Sequence, residues 1–134
     1  MAIRAKSAKI RKLVKLNKHK GACAVAALTY ASKQAVEVVE SMCKLHGFET
    51  DRGMIDEEWR EAAEALGLKT RRIGFDPESP LTLSKFVKQY NEGLYFVSTK
   101  THLFIVHNGL AVDTLDNKKP SPRRLISEAW IVVE

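Results

Sequence analysis

The chain has 134 residues, of which 45% are hydrophobic and 28% charged, with a net charge of +6. That is enough for one globular core, and the composition excludes a collagen, a coiled coil or a long disordered chain. No apolar run reaches the ~18 residues of a membrane span. Two cysteines exclude a disulfide framework, so a reducing, cytoplasmic setting is expected.

The charge is uneven. Residues 1–20 carry eight bases (Arg4, Lys6, Lys9, Arg11, Lys12, Lys15, Lys18 and Lys20) and no acid, while the remainder carries fourteen bases against sixteen acids. Residues 1–16 therefore read as a basic arm. Within it Ile10, Leu13, Val14 and Leu16 share one side of a short amphipathic helix over residues 7–16. The arm has no apolar core of the kind a secretory signal needs. Its bases Arg4, Lys6, Lys9, Arg11, Lys12 and Lys15 are candidate contacts for nucleic acid or an acidic protein, set against the plainer role of a solvated face.

Residues 17–134 are expected to form one domain. Asn17–Gly21 reads as a loop. From Ala22 to about Leu45, apolar residues recur at helical spacing and the first half is uncharged, which predicts one buried central helix ending at Gly47. Asp51–Met54 reads as a turn, and Asp56 as the N-cap of a second helix with acids in its first turn, stopping at Gly67. A short strand over Lys69–Phe75 follows, then a proline-containing loop, then a third helix capped by Thr82 or Ser84.

The rest predicts strands over Leu94–Ser98, Thr101–His107, Leu110–Thr114 and Ala129–Val133. Asn108-Gly109 between apolar runs is a strong hairpin signal. Helices followed by mostly antiparallel strands make the fold class α+β.

A cysteine nucleophile needs a lowered pKa, a base within reach and donors for the oxyanion. Cys23 stands at the expected start of the central helix, where unpaired N–H groups and the helix dipole favour a thiolate. With a two-residue turn at Asn108-Gly109, His107 faces Leu110 and Ile105 faces Val112. Alternation then puts His102, Phe104, Val106 and Asp113 on one face. His102 lies diagonal to Asp113, within reach of long side chains, so His102 reads as base and Asp113 as its orienter. His107 points the other way, to solvent or into packing beside the turn. Taken singly, Cys23 could be a small buried hydrophobe and His102 and Asp113 ordinary strand-end residues.

The segment Asn17-Lys-His-Lys-Gly21-Ala-Cys23, with His102 and Asp113 downstream on successive strands, resembles the papain-like cysteine peptidases. It is similar to the compact bacteriocin-leader peptidases and to small papain-like proteins encoded by phages. The resemblance implies a central N-terminal helix on a small sheet and a Cys23-His102-Asp113 triad. It also implies an oxyanion site shared by Asn17 and the Cys23 backbone N–H, and hydrolysis of a peptide, isopeptide or amide bond. This chain departs from the pattern at Asn17, where the family carries Gln, and at Ala24, where an aromatic residue often stands.

The alternative is a papain-like scaffold without turnover, acting as a virion or binding protein through the arm. No cofactor is expected. Cys43 and His46 lie three apart on a helix, but two ligands do not make a zinc site, so no metal is expected either. Trp59 and Trp130 read as core residues.

Overall fold

A computed structural model of the chain describes residues 3–4, 23–49, 53–76, 78–99, 102–112 and 121–133. The elements are β1 (Ile3–Arg4), α1 (Cys23–Ser32), α2 (Val36–Leu45), α3 (Asp56–Ala65), β2 (Lys69–Ile73), α4 (Leu83–Gln89), β3 (Leu94–Ser98), β4 (Leu103–His107), β5 (Leu110–Val112) and β6 (Glu128–Val133). The α+β class expected from the sequence is observed.

The strands form one sheet in the order β1-β5-β4-β3-β6-β2. Strands β2 to β6 pair antiparallel throughout, and β1 lies parallel to β5, with Ile3 opposite Ala111 and Arg4 opposite Val112. The basic arm thus begins as a sheet edge. The amphipathic helix expected over residues 7–16, and with it Lys6, Lys9, Arg11, Lys12 and Lys15, lies outside the described residues.

The single helix expected from Ala22 to Leu45 is two helices. The break falls at Lys33-Gln34-Ala35, where Lys33 takes the left-handed φ of 60°. The Gln34 backbone N–H donates to the Ser32 hydroxyl at 3.3 Å, and the Gln34 side-chain amide donates to the Leu66 carbonyl at 3.0 Å. Helix α2 then turns back against α1. It buries Val36, Val39 and Cys43, three positions of one helical face, and Gly47 follows with φ of 107°.

Helix α1 is apolar on every side because it is covered on every side: Ala24 to Thr29 and Ala31 are all buried. The one polar residue among them, Thr29, donates its hydroxyl to the Val25 carbonyl at 2.7 Å and so carries no orphaned group into the core.

In α3 the expected N-cap, Asp56, is instead the first helical residue, and the cap is Ile55. The Ile55 N–H donates to the Glu58 carboxylate at 3.0 Å, and Asp56 turns its carboxylate to accept from the Trp59 indole N–H at 2.9 Å. In α4, Thr82 caps as expected, accepting from the Lys85 N–H at 3.2 Å.

Alternation along the strands splits the core into two clusters. Leu103, Ile105, Phe96, Val112 and Trp130 pack under α1, α2 and α3. Phe104, Val106, Val97, Tyr95, Ala111 and Ala129 pack with Leu83 and Phe86 of α4 on the other face. Trp59 joins the helices to the sheet, with ring centroids 4.8 Å from Phe96 and 4.9 Å from Trp130. Both tryptophans are buried core residues, as expected.

Candidate active site

Two main-chain groups and one ring meet the Cys23 sulfur at one end of the sheet. Helix α1 begins at Cys23, so the N–H of Ala24 has no partner within the helix and is hydrogen-bonded to the sulfur. The backbone of Leu103, at the start of β4, makes a second hydrogen bond to it. The residue before β4 is His102, whose ring also hydrogen-bonds to the Cys23 sulfur. Helix and strand run side by side, so the start of one meets the start of the other.

His102 is held from two directions. Its carbonyl accepts from the Thr99 N–H at 2.9 Å and from the Thr99 hydroxyl at 3.4 Å, which closes the β3–β4 connection. Its ring stacks on Phe104, with centroids 5.9 Å apart and planes 22° off parallel. Thr99 is buried. Neither Thr99 nor Leu103 stands out in the sequence, because Leu103 acts through its main chain and Thr99 through its N–H and a hydroxyl aimed at a carbonyl.

Opposing effects set the thiol's acidity. Burial is the largest and raises the Cys23 pKa. Against it stand the His102 hydrogen bond, the Leu103 backbone hydrogen bond, the positive charge of His102 and the Ala24 N–H. Together they outweigh burial, and the Cys23 thiol titrates below its ordinary value.

The thiol opens on a cleft of about 340 Å³ lined by Ala24, Met54, Ile55, Asp56, Trp59, Ser98, Thr99 and Leu103 as well as the pair itself. Trp59, expected only as core, forms part of this wall. A partly exposed sulfur, a ring nitrogen in contact with it and a cleft above them are what attack on a carbonyl carbon requires.

The structure brings Cys23 and His102 together, but not through a shared strand face. The α1 side of β4 carries Leu103 and Ile105, while Phe104 and Val106 face α4. Phe104 and Val106 share a face as expected, and the His102 ring stacks on Phe104. His102 reaches the sulfur because it precedes the strand, at the sheet's end. The turn itself forms as expected, with Asn108 and Gly109 at φ of 49° and 78°, His107 opposite Leu110 and Ile105 opposite Val112.

Asp113, the expected orienter, and Asn17, the expected oxyanion donor, lie outside the described residues. His107 is half-buried, and its Nδ1 lies 2.9 Å from the Tyr30 hydroxyl. Cys43 is buried and His46 faces Glu61 at 3.6 Å; among the described residues no group of three or more His, Cys, Asp or Glu could hold a metal ion. No helix among the described residues is long and apolar enough to cross a membrane.

Comparison of the chain with family models, with curated proteins and with solved structures found no match.

Proposed function

We propose that the chain is a cysteine hydrolase of papain-like design, acting on a peptide, isopeptide or amide bond. The observation that carries this reading is the acidified Cys23 thiol at the start of α1, hydrogen-bonded to His102 beside an open cleft.

In the reaction, the Cys23 thiolate attacks the carbonyl carbon and a carbon–sulfur bond forms. The negative charge moves to the carbonyl oxygen, which Asn17 and the Cys23 backbone N–H stabilise in this reading. The protonated His102 ring gives its proton to the leaving nitrogen as the carbon–nitrogen bond breaks. Water then attacks the acyl-enzyme with His102 as base, the carbon–sulfur bond breaks, and the thiolate returns. Asp113 holds the ring's orientation and favours its charged form.

Iodoacetamide tests the activated nucleophile. Native protein at about pH 6.5 should be alkylated at Cys23 faster than a simple thiol, because more of its sulfur is ionised. Cys23→Ala should abolish that labelling and any peptide turnover while keeping the wild-type thermal transition. Native labelling no faster than that of the simple thiol would overturn the reading.

A further inference from the structure

At the other end of α1 and β4 lies a cavity of about 790 Å³, larger than the Cys23 cleft. Leu68, Leu94, Val132 and Val133 supply apolar lining, and Tyr30, Lys33 and His107 supply its polar groups. There the Tyr30 hydroxyl and His107 Nδ1 are 2.9 Å apart, with their rings edge to face at 5.8 Å. With the hydroxyl donating to Nδ1, the other ring nitrogen carries a proton and is a donor.

Lys33 is the charged residue of the lining. It stands at the helix break in a left-handed conformation (φ 60°) that glycine or asparagine adopts at less cost. Its N–H still donates to the Thr29 carbonyl at 3.1 Å, and the next residue is tied to Leu66, so the rim is fixed on both sides. A strained lysine on a braced rim, beside a paired histidine and an apolar hollow, marks a place built for a ligand.

We propose that this cavity binds a small amphipathic carboxylate, its apolar body among Leu68, Leu94, Val132 and Val133 and its anionic head at Lys33 and His107. The volume lies within the range of small-molecule sites, about 300–1,000 Å³. Among the described residues no acid lines the cavity, and Lys33 is the charged side chain available to an anion there. This site is independent of the chemistry at Cys23.

Octanoate, octanol and octylamine share one body and differ in the head, so they separate the two halves of the claim. The measurement is calorimetric titration of the full-length chain, with amide shifts mapping the site. Octanoate should bind at one saturable site about tenfold more tightly than octanol, and octylamine more weakly than either. Shifts should fall on residues 30–33, 67–68, 93–94 and 107.

Lys33→Asn keeps a residue that tolerates the left-handed backbone while removing the charge. It should bring octanoate down to octanol's affinity and leave octanol unchanged. Prior alkylation of Cys23 should change neither. Equal affinities for the three heads, shifts centred on Cys23 and His102, or octanoate binding indifferent to Lys33→Asn would each overturn the proposal.

Discussion

Cys23 begins α1 and Cys43 lies near the end of α2, so one helical hairpin carries both thiols into the same core. Burial raises the pKa of each, and for each it is the largest effect. At Cys43 the only other influence points the same way: the Glu40 carboxylate adds like charge, and the thiol is pushed up to about 12. At Cys23 the His102 ring, the Leu103 backbone and the Ala24 N–H at the helix start turn the balance over. Depth of burial therefore does not decide whether a thiol's pKa falls or rises. What distinguishes the two cysteines is the end of the helix on which the sulfur sits and what faces it there.

The largest expected effect is selectivity between the two. At pH 7 a thiol with a pKa of about 12 is ionised to about one part in 10⁵. Mass mapping of native protein after brief iodoacetamide treatment should find adduct on Cys23 and essentially none on Cys43. Denaturant should expose both to equal labelling. Native modification of Cys43 at a rate within tenfold of Cys23 would erase the contrast.

A smaller effect isolates the histidine. His102→Ala removes one hydrogen bond and one charge from the sulfur but leaves burial and the backbone contacts. The Cys23 pKa should rise, and alkylation near neutral pH should slow, each pKa unit being read as a factor of ten in thiolate where the thiol is mostly protonated. Rates should converge with wild type at alkaline pH, where both sulfurs are ionised. A uniform slowing at all pH values would point to lost access instead.

The smallest effect is on stability at high pH. Unfolded, Cys43 ionises near the ordinary thiol value of about 8.5; folded, it keeps its proton to about 12. Between these values the folded state binds more protons, so stability falls as pH rises, by at most about 1.4 kcal/mol per pH unit from this group. Cys43→Ala should cost some stability at pH 7 through the lost buried sulfur. It should also lose less than wild type as pH is raised from 8 to 10, as chemical denaturation would report. Parallel pH dependence of the two proteins would show that Cys43 is not a suppressed acid.

The hairpin was legible in the sequence because its signal is local. Asn108 and Gly109 accept positive φ, and the two-residue turn fixes the pairing of Ile105 with Val112. Cys23 at a helix start was also legible, since a polar, basic stretch of sequence gives way there to an uncharged apolar run. The break at Lys33 was not. No glycine or proline marks it, and it is held by the Gln34 amide reaching Leu66, 32 residues away. The contact of Tyr30 with His107 spans 77 residues, and the insertion of β6 between β3 and β2 is long-range pairing with no local signature. At the site, alternation pointed to His102 through Asp113, which lies outside the described residues, whereas His102 meets Cys23 from just before the strand. Its supports are a threonine and a main-chain group that composition cannot single out.

The most direct test is a pH titration of the Cys23 thiolate by its ultraviolet absorbance in a Cys43→Ala background, with N-acetylcysteine titrated alongside. The expected result is a Cys23 transition at lower pH than the free thiol, moved upward by His102→Ala. A transition at or above that of N-acetylcysteine, unmoved by His102→Ala, would mean that burial prevails at Cys23 as it does at Cys43, and would contradict the claim of an activated nucleophile.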